Sequence, residues 1–302
     1  MKVVLAVLVT AVASAGPAFA QVEVSGHWRA ILHEDIGHRL DEAGAAPGIS
    51  GAGGPWVGDF TGLPINDAAR LKAESWDARL YSSAEHQTIL QPGAYWMLSP
   101  GGIRISTVID DATEGIVAYN IFRAGLAGST SRVIWMDGRL HPPAHAAHTW
   151  QGFSTGAWAA GVLTVTTTHL KAGFIRRNGA PASDRATVTE YFVRRGGILT
   201  NFRIVDDPLY LDEPFVSSMS WQIDPLLQLP RVPAGTIVNE IPGQPEVFVP
   251  HHLPGANSQL REFAEAFHLP FEATRGGKET MYPEYQRTLK ALIAARQKTG
   301  TR

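Results

Sequence analysis

The chain has 302 residues, with 26 Lys and Arg against 28 Asp and Glu and no cysteine. Because the charge is balanced and no basic run occurs, nucleic acid and anionic membrane surfaces are excluded as expected partners. The lack of cysteine excludes disulfides, a thiol nucleophile and a thiolate metal site. Eight Trp, seven Tyr and twelve Phe suit a large β core, and they also suit the binding of an apolar ligand.

Residues 1–20 have the pattern of a secretory signal peptide. Lys2 supplies the positive start, Val3 to Val12 form the apolar run, and Ala18 to Ala20 form a small-x-small cleavage site. We therefore expect cleavage near Ala20 and a periplasmic or secreted protein. No later segment is long and apolar enough to span a membrane, so we expect no membrane anchor.

Residues 21–92 predict an irregular N-terminal arm with one short helix. Asn66 can cap a helix over Asp67 to Trp76, because its side-chain oxygen can accept the free amide protons of the first turn. Residues 229–302 predict a C-terminal extension whose helices pack on the rest of the protein. The second of these helices is expected from Glu284 to Gln297, entered through Pro283.

Residues 93–228 predict a β-barrel. Turn signals separate eight segments rich in β-branched and aromatic residues, which read AYWML, IRISTVID, GIVAYNIF, RVIWM, VLTVTTTHL, ATVTEYFVRR, ILTNFRIVDD and FVSSMSWQID. In VLTVTTT and ATVTEYFV, polar and apolar residues alternate, which is typical of a strand with one face in a core. The fold class that this pattern predicts is all-β: an antiparallel, lipocalin-like barrel with an irregular N-terminal arm and short C-terminal helices.

Three histidines in one loop are the strongest indication of a functional site. His141, His145 and His148 lie between two predicted strands, and imidazoles suit acid–base chemistry because their pKa is ordinarily near 6.5. Pro142 and Pro143 forbid a regular helix here, but a loop can still direct imidazoles to one metal ion. We expect no cofactor; zinc or iron held by the three histidines is the alternative.

A predicted hairpin after His169 carries further candidate groups. Arg177 lies in a tight turn, Asp184 follows it, and Glu190 lies in the next strand. A carboxylate can orient a catalytic imidazole, and an arginine can stabilise an oxyanion, so these groups complete a plausible acid–base site. The alternative is a solvated turn with a surface ion pair.

The pentad Gly152-Phe153-Ser154-Thr155-Gly156 matches the G-x-S-x-G nucleophile motif of serine hydrolases. That motif requires a strand that turns sharply into a helix, whereas here a β-branched strand follows. We therefore interpret the pentad as a β-turn.

The motifs DGRxHP, TWxGxSxGxW and NGxPxSD, followed by TExF, resemble a family of secreted, largely uncharacterised bacterial proteins. The match extends over most of the chain after the signal peptide, and His141, Trp150, Ser154, Asp184 and Glu190 match it residue by residue. The resemblance implies export and a lipocalin-like barrel, and it implies no particular reaction. Where the family reads WEGD, this chain has Trp158-Ala159-Ala160-Gly161-Val162, so that acidic pair is absent; His145 is not part of the shared motif.

The sequence favours an exported enzyme that acts on a small, partly apolar molecule by acid–base chemistry, as a lyase, isomerase or hydrolase. The expected catalytic residues are His148, His141, Asp184, Glu190 and Arg177. The expected substrate-binding residues are Trp150, Trp135, His169, Ser154 and Tyr119. The alternative is a carrier that binds a hydrophobic small molecule without turnover. Both require the barrel mouth to gather these groups around one ligand.

Overall fold

The computed structural model describes residues 23–31, 56–76, 91–98, 101–124, 129–176, 178–231 and 251–299. The predicted signal peptide and Arg177 lie outside these ranges. Within them eleven strands form: β1 (Gly26–Ile31), β2 (Ile103–Ile109), β3 (Ile116–Arg123), β4 (Thr130–Trp135), β5 (Phe153–Ala159), β6 (Val162–Thr168), β7 (Gly173–Phe174), β8 (Pro181–Ala182), β9 (Thr187–Arg195), β10 (Ile198–Asp206) and β11 (Phe215–Ile223). Nine of them close into a barrel in the order β1-β11-β10-β9-β6-β5-β4-β3-β2, which confirms the predicted all-β fold.

The barrel includes one strand from the predicted N-terminal arm. Strand β1 pairs with β11 on one side and with β2 on the other, and so closes the ring. The barrel therefore starts before residue 93, where the sequence placed its boundary.

The odd number of strands explains why one pair in the barrel is parallel. Strand directions can alternate all the way round a closed ring only if the number of strands is even. Here eight junctions are antiparallel and the junction of β4 with β5 is parallel, with Ile134 opposite Ser154. A hairpin cannot join parallel neighbours, so residues 136–152, which carry the three histidines, must return along the barrel before β5 begins.

The helices of the described ranges are short and lie outside the strand order. They are α1 (Asp67–Glu74), α2 (Gly93–Trp96), α3 (Glu262–Ala266) and α4 (Tyr285–Thr299). Helix α1 starts as predicted, since the Asn66 side chain accepts the Ala69 N–H at 3.0 Å, and α4 confirms the second C-terminal helix. No helix in the described part of the chain combines the length and apolar character that crossing a membrane requires.

The segment AYWML was predicted as a strand, and this prediction is wrong. Most of it lies in α2, which begins after Pro92 and is buried throughout. The Tyr95 and Trp96 N–H groups both donate to the Pro92 carbonyl, at 2.9 and 2.8 Å. A helical turn satisfies buried backbone groups locally, which a segment without a neighbouring strand requires.

Two apolar clusters form the core, and a layer of buried polar residues separates them. Along β9, Val188 belongs to the cluster at one end of the barrel and Phe192 to the cluster in its interior. Glu190 lies between them and is fully buried. The end cluster also contains Phe60, Leu63 and Ala94, so α2 and the segment around residues 56–65 cover this end.

Candidate functional site

The histidine loop packs against the outer face of the barrel. His141 lies between two threonines on β5 and β6, with Nε2 at 2.8 Å from Thr155 Oγ1 and Nδ1 at 2.7 Å from Thr168 Oγ1. Alternate residues of β6 point inward and are buried, whereas Thr168 belongs to the outward-facing set. The loop therefore holds its imidazoles outside the barrel.

A chain of hydrogen bonds continues from His141 to His169 and fixes the tautomer of both rings. His169 Nε2 lies 3.0 Å from the Pro143 carbonyl oxygen, which can only accept, so Nε2 carries a proton. In the neutral ring Nδ1 then accepts from the Thr168 hydroxyl at 2.7 Å. Because Thr168 donates there, it accepts from His141 Nδ1, and His141 Nε2 accepts from Thr155. Both rings are thus satisfied in their neutral forms.

Burial lowers the pKa of His141 from its usual value, and the nearby His169 lowers it further when that ring is charged. Both effects favour the neutral imidazole. Since the hydrogen-bond chain also satisfies the neutral form, His141 is suited to holding the loop in place near neutral pH.

Within the part of the chain that the structure describes, His148 has a hydrogen-bond partner at only one ring nitrogen, whereas His141 has partners at both. Its Nδ1 lies 2.8 Å from the Leu170 carbonyl oxygen, so Nδ1 carries the proton and the lone pair of the neutral ring is on Nε2. The ring is half-buried, and its centroid lies 5.3 Å from that of His169. The carbonyl fixes the ring's orientation and leaves Nε2 able to accept a proton.

A surface cleft of about 370 Å³ joins the imidazoles of the loop to the hairpin that precedes β9. Asp184 and Arg185 are exposed, and both line the cleft together with His148 and His169. Ala144, Thr168, Ala186 and Thr187 complete its lining. The cleft thus combines two imidazoles, a carboxylate and a guanidinium at a solvent-accessible surface.

Glu190 does not partner the histidines, contrary to the sequence-based hypothesis. It faces the barrel interior, where its carboxylate accepts from Arg132 Nη1 at 2.5 Å and from Arg132 Nη2 at 3.2 Å. Asn201 Nδ2 donates to the same carboxylate at 3.3 Å. Alternation along β9 explains the error, because residues of even number from Val188 to Phe192 point inward while the histidine loop lies outside.

The other predicted catalytic and ligand-binding residues are dispersed. Tyr119 and Ser154 are buried in the barrel, Tyr119 against the Trp158 ring and Ser154 with its Oγ at 2.8 Å from Thr167 Oγ1. The Arg139 guanidinium lies 3.5 Å from the centroid of the Trp135 ring, and the Lys171 ammonium lies 5.1 Å from that of Trp150. Arg177 is outside the described residues, and His145 is exposed in its loop. The cleft therefore gathers only His148, His169 and Asp184 from the predicted set.

The pentad that contains Ser154 forms the start of a strand, so its prediction as a β-turn is wrong. The turn is confined to the residues before Phe153, where Gly152 has a φ of 67°. From Phe153 onward the chain pairs with β6 over the whole length of β5. Ser154 thus lies within a sheet, without the strand–turn–helix geometry of a hydrolase nucleophile.

Among the described residues, no group of three or more histidine, aspartate or glutamate side chains is arranged to hold a metal ion. His141 uses both ring nitrogens in hydrogen bonds, and His145 is exposed. The alternative in which the three loop histidines bind zinc or iron therefore gains no geometric support here.

Sequence reasoning missed the groups that organise both regions. Thr155 and Thr168 orient the imidazoles, and the signal for them was the alternation in VLTVTTT, which places Thr168 on the outer face. Arg132 and Arg203 are buried around Glu190. Their signal was their position among inward-facing residues of β4 and β10.

Comparison with known proteins provides no family assignment for the chain. No protein-family model matches it, and neither the curated proteins nor the solved structures contain a significant match.

Proposed function

We propose that the protein is an exported enzyme that acts on a small, partly apolar molecule by acid–base chemistry in the outer cleft. His148 is the proposed base, and the reaction is of the lyase, isomerase or hydrolase type. One observation carries the proposal: the Leu170 carbonyl holds His148 Nδ1–H, so that Nε2 remains able to accept a proton beside the cleft. A base must have a defined tautomer and a reachable lone pair, and His148 has both.

The charged residues of the cleft suit the two charges that such a step develops. When Nε2 takes a proton from the substrate, His148 becomes an imidazolium, and the Asp184 carboxylate lines the same cleft. The substrate simultaneously gains negative charge, which the Arg185 guanidinium can stabilise. The imidazolium can then return its proton to another atom of the substrate or to a leaving group.

His141 and His169 are positioning residues in this proposal. His169 packs beside the His148 ring, and the hydrogen bonds through Thr168 connect it to His141. Because the hydrogen bonds of the His141 and His169 rings are satisfied when both are neutral, these rings hold the loop without competing for the substrate's proton. The fixed loop keeps His148 in one orientation, which proton transfer requires.

The test is a screen of small carbon acids and esters in D₂O, followed by proton NMR. An acid–base enzyme replaces a substrate C–H by deuterium, or forms product, at a rate that depends on its base. His148→Ala should lower that rate by about 10²–10⁴-fold, the usual contribution of a general base. His145→Ala is the matched control, because His145 is exposed in the same loop, and it should retain the wild-type rate.

Two results would contradict the proposal. Equal rates for the wild type and His148→Ala would exclude His148 as the base. A compound that shifts the histidine signals saturably in every variant, but is never exchanged or converted, would instead identify a binding protein. That second result would favour the carrier hypothesis over the enzyme hypothesis.

A further inference from the structure

The polar layer inside the barrel holds more positive than negative charge among the described residues. We define this layer as Arg132, Glu190, Asn201 and Arg203, whose exposed fractions are 2%, 0%, 1% and 1%. Glu190 forms a two-point ion pair with Arg132, and Arg203 lies directly opposite Glu190 in the register of β9 and β10. The layer therefore contains one carboxylate for two guanidinium groups.

Each of the two guanidinium groups also has a buried N–H that finds no acceptor among the residues that the structure describes. These are Arg132 Nε–H and an N–H of Arg203 Nη2, both inaccessible to solvent. The other Arg203 contacts are to the Ala94 carbonyl through Nη1 and to Ser217 Oγ through Nε, at 3.3 Å for the latter. Buried donors are nearly always paired, so two orphans in one charged layer indicate a missing acceptor.

Burial dominates the electrostatics of Arg203. It lowers the pKa of this guanidinium to about 10, and the opposing effect of Glu190 is smaller. The side chain remains charged at neutral pH, but its charge is poorly compensated. An additional negative charge in the layer would remove this deficit.

We propose that the polar layer is a binding site for a small monocarboxylate, with Arg203 and Arg132 as its ligands. A single negative charge balances the single surplus positive charge, whereas a phosphate dianion would exceed it. Guanidinium N–H groups match the planar, two-oxygen geometry of a carboxylate. The side chains on the interior side of the layer are apolar, among them Phe192 and Met219, and suit the hydrocarbon part of such a ligand.

In this proposal a ligand reaches the layer when helix α2 is displaced. The helix covers the barrel end, and its carbonyl groups accept from two buried arginines: Ala94 from Arg203 and Trp96 from Arg123. The Arg132 guanidinium lies 5.4 Å from the centroid of the Trp96 ring. Displacement of α2 would free Arg203 Nη1 as a further donor, so binding and opening would be coupled. This site is separate from the outer cleft, and its failure would leave the proposed function unaffected.

The test measures thermal unfolding of the full chain while sodium butyrate is added at constant ionic strength, with sodium phosphate as the counter-series. We expect butyrate to raise Tm with the logarithm of its concentration above Kd, by about 5–10 °C when that concentration is 100 times Kd. Arg203→Met should abolish this logarithmic rise. Glu190→Gln should lower Kd for butyrate by about tenfold, because a negative charge beside the bound anion is removed. Arg104→Met, on the exposed face of β2, is the matched control and should behave as the wild type.

Opposite shifts in Arg203→Met and Glu190→Gln cannot arise from general destabilisation, so they would establish the site. If either variant fails to fold, the wild type and the other variant still decide. A small, linear rise that is identical for butyrate and phosphate would overturn the proposal and assign the orphan N–H groups to buried water. A logarithmic rise of the same size with phosphate would overturn the carboxylate assignment.

Discussion

The outer cleft and the polar layer lie on opposite sides of the barrel wall and share strand β9, which contributes Thr187 to the cleft and Glu190 to the layer, and the two regions treat charge in opposite ways. On the outer face, neutral imidazoles are satisfied by hydroxyl and carbonyl groups, and water reaches the cleft. Inside, Arg132 and Glu190 form an ion pair that water does not reach. One step along a strand, from Thr189 to Glu190, separates the two environments.

A hydrogen bond of the same length contributes differently to stability on the two faces of the barrel wall. On the outer face a lost partner can be replaced by water. Inside the barrel water cannot replace a lost partner, so a broken ion pair leaves a desolvated charge. Substitutions in the layer should therefore affect stability, and substitutions in the cleft should affect protonation and chemistry.

The largest effect is expected from breaking the buried ion pair. Arg132→Met leaves the Glu190 carboxylate buried without its two-point partner, and should lower the free energy of unfolding by about 3–5 kcal/mol. Arg132→Lys should lose less, because an ammonium keeps the charge but not the paired geometry. Urea unfolding followed by circular dichroism measures both.

Arg139→Met is the matched control for this prediction. Arg139 also forms an ion pair, with Asp137 at 2.5 Å, but both side chains are solvent-exposed. We expect its unfolding curve to overlay that of the wild type. Similar losses for Arg132→Met and Arg139→Met would show that burial does not govern these pairs, and would remove the basis of the comparison.

The sequence predicted the barrel because strand periodicity is a local property. The alternation in VLTVTTT and ATVTEYFV gave β6 and β9, and Asn66 gave the start of α1. The role of β1 was not predictable in this way, because its place in the barrel depends on pairing with β11, almost 200 positions away. Helix α2 was not predictable either, because its apolar composition fits a strand as well as a buried helix.

The candidate site was only partly predictable for a similar reason. The sequence predicted that the hairpin end carrying Asp184 lies beside the histidine loop, and Asp184 does line one cleft with His148 and His169. Glu190 lies near the histidines in sequence but not in space, because the alternation of side chains along β9 decides which side of the barrel each residue faces. This alternation was readable from Val188 and Phe192, and applying it would have assigned Glu190 to the core.

A second prediction concerns the turn that brings the histidine loop into β5. Gly152 has a φ of 67°, and an added Cβ would overlap the Thr168 carbonyl oxygen and lie 2.8 Å from Thr167 Cγ2. Gly152→Ala should therefore combine backbone strain with overpacking, at a cost of about 2–4 kcal/mol. Gly138→Ala is the control: its φ is 75°, but nothing lies within 4 Å of the added Cβ. Its cost should be only about 1–2 kcal/mol, and equal losses in urea unfolding would contradict the packing explanation.

The smallest effect concerns the pH dependence of stability that His141 contributes. Burial lowers the pKa of His141 in the folded state, and the nearby His169 adds to this, so the unfolded chain binds the proton more readily. Stability from this group is therefore complete above the unfolded pKa of about 6.5 and is lost as the pH falls through the lower folded pKa.

His141→Gln should remove this dependence while its amide can still bond to Thr155 and Thr168. The unfolding midpoint in urea, measured from pH 7.5 down to pH 4.5, should thus fall less steeply for His141→Gln than for the wild type. His145→Gln serves as the control, because His145 is exposed, and it should keep the wild-type slope. An unchanged slope in His141→Gln would mean that protonation of His141 costs the fold nothing. The outer face would then show no preference for neutral groups, and only its exposure to water would distinguish it from the interior.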